Sequence, residues 1–200
     1  MKIAIIGTGN IGATLAIGWK KAGHDILLGV RNPKNYKGKN ILENEDFKIL
    51  PPKNAVEEAE VVLLAIPPEN MESAADYLKN ATDKTIIDPS NSVFSKPENY
   101  ANGYEALTQL TDCKHIVKAF SNTGFQNMAN PKGLDTFVAG ESKKAKEIAK
   151  RLALDLGFKN CYDFGGKEQV SLLEQLAMCW INLAYQQGLG MNIALNVLQR

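Results

Sequence analysis

The chain has 200 residues, of which 44% are apolar and 22% are charged. This length and composition are typical of a soluble globular protein with a full core. The 23 lysines and arginines nearly balance the 22 acidic residues, which does not favour nucleic acid or a membrane surface as a partner. No apolar run approaches the roughly 18 residues that a membrane-spanning helix needs. We therefore predict a cytoplasmic protein that binds neither nucleic acid nor membrane.

The cysteines and histidines do not suggest a metal site. Cys113, Cys161 and Cys179 are odd in number and far apart, which favours buried free thiols over disulfides. His24 and His115 lack partners at ligand spacing, apart from Cys113 beside His115. We predict no bound metal.

Strand-like apolar runs alternate with helical patterns along the chain. The first run, Ile3–Ile6, is continuously apolar, as in a central parallel strand that is covered on both faces. The predicted strands are Ile3–Ile6, Ile26–Val30, Phe47–Leu50, Val61–Ile66, Thr85–Asp88, His115–Phe120, Thr136–Ala139 and Asn160–Asp163. The predicted helices are the segment from Ile11 to Ala22 with Gly23 as its cap, then Asn54–Ala59, Glu69–Lys79 and Ser142–Leu156, and one or two helices between Lys167 and Leu198. This succession predicts an α/β fold, a Rossmann-type doubly wound, mostly parallel sheet with a short C-terminal helical extension.

A glycine-rich loop follows the first strand and begins the first helix. Gly7 allows a tight turn, Gly9 lets the backbone approach a pyrophosphate, and Gly12 allows close packing of helix on strand. The helix start at Asn10 and Ile11 offers free N–H groups to an anion. The loop therefore predicts a dinucleotide site, with a glycine-rich turn that holds no ligand as the alternative.

The end of the second strand distinguishes NADP from NAD. An NAD site carries an acidic residue there for the ribose 2′-hydroxyl, whereas this chain has Arg31 and Asn32, and Asp25 lies at the other end of the strand. A guanidinium pairs with a 2′-phosphate that a carboxylate would repel. We predict NADP(H) as the cofactor. Thr8 can add a hydroxyl, and whether Lys34 or Lys37 adds charge stays open.

The turn after the fourth strand is a further candidate part of the site. Ligands of open α/β sheets lie outside the carboxyl ends of the strands. The segment Ala65-Ile66-Pro67 therefore should pass beside the ribose and pyrophosphate of the cofactor. A plain helix start is the alternative for the prolines.

These motifs, with Asp88-Pro89-Ser90-Asn91 and the segment from Val117 to Gly124, resemble the coenzyme F420-dependent NADP oxidoreductase family. They are also similar to the cytosolic NADPH-binding domain of the STEAP metalloreductases. The resemblance implies hydride transfer between NADP(H) and a deazaflavin (F420), flavin or similar acceptor.

The resemblance also implies roles for particular residues. Thr8 and Arg31 match residues that hold the adenosine phosphate, but Val30 stands where a serine is usual, so one hydroxyl contact is lost. The nicotinamide would pack against the turn after the sixth strand, where Asn122 or Thr123 could bond its carboxamide. The alternative is a strand-ending turn whose polar side chains satisfy one another.

No nucleophile–base pair stands out, so we predict no catalytic side chain, as suits hydride transfer between two cofactors. Lys118 is a weak candidate acid, because in a strand it can point to solvent or pair with a carboxylate. We expect residues 1–165 to form the NADP-binding domain and residues 166–200 to pack on it or on a partner in a homodimer. An NADP(H) sensor without turnover is the alternative function.

Overall fold

The computed structural model describes residues 1–42 and 45–200. Its centre is an eight-stranded sheet in the order β3-β2-β1-β4-β5-β6-β7-β8. The strands are β1 (Lys2–Ile6), β2 (Asp25–Gly29), β3 (Lys48–Leu50), β4 (Val61–Leu64), β5 (Thr85–Asp88), β6 (His115–Ala119), β7 (Asp135–Ala139) and β8 (Asn160–Asp163). All neighbouring pairs are parallel except β6 and β7. The predicted Rossmann-type, mostly parallel sheet is confirmed.

Helices cover both faces of this sheet. They are α1 (Asn10–Lys21), α2 (Lys39–Leu42), α3 (Pro52–Glu58), α4 (Met71–Ala74), α5 (Gly103–Leu110), α6 (Phe125–Ala129), α7 (Lys143–Leu156) and α8 (Val170–Ile181). Alternate residues of β1 enter different cores, because side chains alternate across a strand. Ile3 and Ile5 pack in one core with Trp19 of α1, and Ala4 and Ile6 pack in the other with Met71 of α4.

The cap of α1 confirms the predicted helix end. Gly23 has a φ of +87°, and its N–H donates to the carbonyl of Lys20 at 2.9 Å. The N–H of His24 donates to the carbonyl of Trp19 at 3.0 Å. This pattern closes the helix with a left-handed glycine and turns the chain into β2.

Several secondary-structure predictions were wrong in detail. The helix predicted over Glu69–Lys79 is broken into a 3₁₀ turn, the four-residue α4 and a second 3₁₀ turn. Helix α5 was missed, although Asn102 is a recognisable N-cap whose side chain accepts from the N–H of Glu105 at 2.8 Å. Strand β6 ends at Ala119, and Phe120 takes a φ of +58° instead of continuing the strand.

The C-terminal extension contains one α-helix, α8, followed by a π-helical turn over Asn182–Gln186. Val170 and Leu173 are buried in the same core as Phe137 of β7. The indole N–H of Trp180 donates to the carbonyl of Ile193 at 2.7 Å, so the tail folds back on the helix. The start of α8 therefore packs on this chain's own sheet. Packing of this region on a second subunit stays a prediction.

Candidate functional site

A cleft of about 1000 Å³ lies at the carboxyl ends of the parallel strands. It is lined by residues that follow β2, β1, β4, β5 and β6, which are successive neighbours in the sheet. Four strand spacings correspond to about 19 Å. The chain winds to one side of β1 towards β2 and to the other side towards β4. The cleft therefore lies at the switch point where ligands bind in open α/β sheets.

The glycine-rich loop forms the middle of the cleft. Gly7 has a φ of +95°, and a Cβ on it would overlap the carbonyl of Ala65. A Cβ on Gly12 would overlap the carbonyl of Gly7, so helix α1 starts in direct backbone contact with the loop. Gly9 precedes α1 with no side-chain cap, and the first turn of α1 has no acidic residue. Its free N–H groups are thus available to an anion.

The predicted site residues of the loop and of β4 largely line the cleft. Gly12 does not, because its contact with Gly7 is internal. The predicted residues that line the cleft are Gly7, Thr8, Gly9, Asn10, Ile11, Arg31, Asn32, Ala65, Ile66 and Pro67. Their role in binding a cofactor stays a prediction.

Arg31 stands at the end of the cleft that follows β2. It is exposed, and within residues 1–42 and 45–200 it has no ion pair. Asp25 lies at the other end of β2, where the Lys2 Nζ is 3.9 Å from its Oδ2. The Asn32 side chain accepts from the N–H of Lys34 at 3.0 Å and shapes the turn. An unopposed guanidinium therefore faces the cleft.

The loop after β2 folds back over the glycine-rich loop. Gly38 has a φ of +74°, and a Cβ on it would overlap the carbonyl of Thr8. This contact places Tyr36 and Lys37 in the lining of the cleft, whereas Lys34 is not part of that lining. The structure thus distinguishes Lys37, which lines the cleft, from Lys34, which does not, whereas the sequence left both open.

The turn after β6 differs from the expected arrangement. Asn122 and Thr123 are buried and do not line the cleft. The Thr136 hydroxyl donates to Asn122 Oδ1 at 2.8 Å, and Asn127 Nδ2 donates to Thr123 Oγ1 at 2.7 Å. Each of the two side chains therefore has a hydrogen-bond partner within the protein. Their predicted bond to a carboxamide stays a prediction.

Three polar residues that sequence reasoning did not assign to the site line this end of the cleft. They are Ser90 and Asn91 after β5 and Ser121 after β6. All three stand within three residues of the end of a parallel strand. Ser121 begins the turn against which the resemblance places the nicotinamide, although it was not named as a ligand. The rule that ligands lie beyond carboxyl ends could have found Ser90 and Asn91 as well.

Lys118 is a buried structural cation and not an exposed acid. Its side chain is fully buried, its Nζ lies 3.1 Å from Asp88 Oδ2, and it also bonds Glu174 of α8. Asp88 Oδ1 in turn accepts from the N–H of Ser90 at 2.9 Å. Pairing with a carboxylate, one of the predicted alternatives, is thus what the side chain does. The network ties α8 to the turn after β5.

The three cysteines are free thiols, but they were not all buried as expected. Cys179 is exposed on α8, whereas Cys113 is buried and Cys161 is half-buried. Burial raises the pKa of the Cys161 thiol to about 12. In the described parts of the chain, no group of three metal-ligating side chains comes together.

The fold and the cleft define a Rossmann-type α/β protein with an open cleft at the switch point of its sheet. Residues 2–92 match the family described as NADP oxidoreductase, coenzyme F420-dependent. The chain is 27% identical over 206 residues to an F420-dependent NADP reductase of Methanothermobacter marburgensis, covering 92% of each protein. It is 25% identical over 161 residues to the metalloreductase STEAP3 of Rattus norvegicus, covering 78% of this chain and 32% of that protein. The predicted resemblance to both groups is confirmed.

Solved structures share the fold. A candidate F420-dependent NADP reductase of Arthrobacter sp. FB24 superposes with a TM-score of 0.84 at 23% identity, covering 100% of both chains. An imine reductase of Streptomyces aurantiacus gives a TM-score of 0.72 at 18% identity, covering 94% of this chain and 64% of that one. None of the helices in the described ranges is long and apolar enough to cross a membrane.

Proposed function

We propose that the protein is an NADP(H)-dependent oxidoreductase that transfers hydride between NADPH and a deazaflavin (F420), a flavin or a similar acceptor. The observation that carries the proposal is the cleft, which joins a helix start without acidic residues to Arg31, a cation with no ion pair among residues 1–42 and 45–200. The family match over residues 2–92 and the curated F420-dependent reductases support it.

The chain offers a separate group to each part of the cofactor. The free N–H groups at the start of α1, around Asn10 and Ile11, suit a pyrophosphate. Arg31 stands where the adenosine ribose would lie, and its guanidinium pairs with a 2′-phosphate. The absence of a carboxylate from this end of β2 removes the repulsion that an NAD-type site would exert on that phosphate.

When bound, the nicotinamide would supply the hydride chemistry itself. The chain's task is then to align two rings and to exclude water, which removes the entropy of encounter from the barrier. Lys118 cannot donate a proton to a substrate from its position, because it is fully buried and does not line the cleft. This arrangement favours a ring acceptor over a substrate that needs an acid.

The test is to titrate the purified protein with NADPH and NADH and then follow NADPH absorbance after F420, FMN or FAD is added. We expect micromolar binding of NADPH, weaker binding of NADH, and decay of absorbance with at least one acceptor. Binding without decay for all three acceptors would favour an NADP(H) sensor without turnover. Failure to bind NADPH would overturn the proposal entirely.

A further inference from the structure

Two serine hydroxyls at the β5–β6 end of the cleft have no hydrogen-bond partner among the described residues. They are the Oγ atoms of Ser90 and Ser121. Ser90 is 8% exposed and Ser121 is 9% exposed, and both residues line the cleft. Because buried polar groups are almost always paired, two such hydroxyls on neighbouring strand ends need an explanation.

The residue before Ser121 has an unfavourable backbone conformation. Phe120 has a φ of +58°, a conformation that is uncommon outside glycine and costly for a bulky residue. Its buried ring meets Trp19 edge to face at a centroid distance of 5.5 Å and also packs near Phe158. The core therefore holds the strained turn that brings Ser121 to the cleft wall.

The polar groups around the two serines are already engaged. Asp88 bonds Lys118 and the N–H of Ser90. The Asn91 side chain accepts from the N–H of Val93 at 3.1 Å. The hydroxyls of Ser90 and Ser121 thus have no partner among the described residues. Their oxygens are themselves buried, and Ser90 Oγ lies against Gly103 of α5. Rotation about χ1 moves a serine hydroxyl between staggered positions at little cost and would turn these oxygens towards the cleft.

We propose that Ser90 and Ser121 bind the amide edge of a planar ring in the cleft. A hydroxyl both donates and accepts, so two hydroxyls suit a group that presents a carbonyl beside an N–H. Arg31 and the glycine-rich loop occupy the other end and the middle of the cleft, so a ring bound beyond them lies beside these serines. The proposal rests on the proposed function.

Two rings of a hydride transfer carry such an edge. The nicotinamide has a carboxamide, and a deazaflavin or flavin has an imide in its pyrimidine ring. Comparing NADPH with 2′-phospho-ADP-ribose distinguishes the two rings. The second ligand contains the adenosine, phosphates and ribose of NADPH but lacks the nicotinamide. The experiment therefore measures both ligands and the acceptor in Ser121→Ala, Ser90→Ala and the double variant.

If the carboxamide is bound, each single variant should weaken NADPH binding about three- to tenfold, as expected for one neutral hydrogen bond. Binding of 2′-phospho-ADP-ribose should not change. If the serines bind the acceptor instead, the affinities for NADPH and 2′-phospho-ADP-ribose should not change. The KM for the acceptor should then rise by about the same factor. Ser121→Thr, which keeps a hydroxyl, should restore much of the loss in either case.

Thr85 provides a matched control. Its hydroxyl is also buried without a partner in the described structure, but Thr85 lies at the start of β5 and does not line the cleft. Thr85→Val should leave all three measurements unchanged. Equal weakening of NADPH and 2′-phospho-ADP-ribose in the serine variants, or no change in any measurement, would overturn the proposal. If the wild-type protein binds NADPH but reduces no acceptor, the proposed enzymatic function fails. The comparison of NADPH with 2′-phospho-ADP-ribose would still test whether the serines bind the carboxamide.

Discussion

Two cations near the carboxyl ends of strands on opposite sides of the cleft have contrasting surroundings, and only Arg31 lines the cleft. Arg31 follows β2, is exposed, and has no ion pair in the described parts of the chain. Lys118 lies in β6, is fully buried, and bonds both Asp88 and Glu174. Both positions belong to carboxyl ends of parallel strands, so topology alone does not distinguish their roles.

The difference follows from the cost of dehydrating a charge. A buried ammonium is tolerated only when carboxylates and hydrogen bonds compensate it, and Lys118 is compensated entirely within the protein. It can therefore position α8 and the turn after β5 but has no charge to offer a ligand. Arg31 remains solvated, and its fixed fork of donors is available to a phosphate.

The largest expected effect is that of removing the buried cation, Lys118. Lys118→Met removes the ammonium and leaves the carboxylates of Asp88 and Glu174 buried without it. We expect the free energy of unfolding to fall by about 3–5 kcal/mol, the range for breaking a buried ion pair. Urea denaturation followed by circular dichroism measures this change.

Lys146→Met is the matched control for that variant. Lys146 pairs with Asp163 at 2.9 Å, but its side chain is 13% exposed and that of Asp163 is 34% exposed. Loss of a partly exposed pair should cost less than about 1 kcal/mol. Equal losses in the two variants would mean that the buried ion pairs of Lys118 stabilise the fold no more than the partly exposed pair of Lys146 does.

The next prediction distinguishes Gly12, which packs against the glycine-rich loop, from Gly9, which is predicted to face the pyrophosphate. In a helix, Ala is normally more stable than Gly by about 1 kcal/mol. Gly12→Ala in α1 should nevertheless destabilise the protein by about 1–3 kcal/mol, because its Cβ would overlap the carbonyl of Gly7. Thermal unfolding followed by circular dichroism measures the loss.

Gly9→Ala should behave in the opposite way. Its φ is −69° and a Cβ there meets nothing within 4 Å, so stability should change by no more than about 0.5 kcal/mol. The Cβ would, however, occupy the approach of the pyrophosphate, and NADPH binding should weaken about tenfold or more. A stable Gly12→Ala protein, or a Gly9→Ala protein with unchanged affinity, would contradict this reading of the loop.

Arg31→Ala tests the exposed cation directly. Removing a charge-assisted bond of about 1.5–3 kcal/mol should raise the Kd of NADPH about tenfold or more and leave the Kd of NADH nearly unchanged. Fluorescence titration with both cofactors measures the split. Equal losses for both would assign Arg31 a structural role instead.

The sequence predicted one side of the cleft better than the other for a physical reason. The glycine-rich loop and Arg31 are local signals, because turn geometry and the charge at a strand end can be recognised within a short segment. The opposite side depends on contacts between distant residues, such as Lys118 with Glu174, which are 56 positions apart. Asn122, which stays predicted to bond the carboxamide, accepts from the hydroxyl of Thr136, 14 positions away, and only the folded chain reveals that partner.

The smallest expected effect concerns the two lysines that follow Arg31. Lys37 lines the cleft, because Gly38 anchors the loop on the carbonyl of Thr8, whereas Lys34 is exposed outside the lining. A solvated charge near a phosphate contributes roughly 0.5 kcal/mol, so Lys37→Ala should weaken NADPH binding about two- to threefold, and salt should reduce the difference. Lys34→Ala should bind NADPH like the wild type, and titrations at low and high salt measure both variants. A larger loss in Lys34→Ala would mean that the loop after β2 binds the cofactor in another conformation, and the contrast between an exposed and a buried cation would then rest on Arg31 alone.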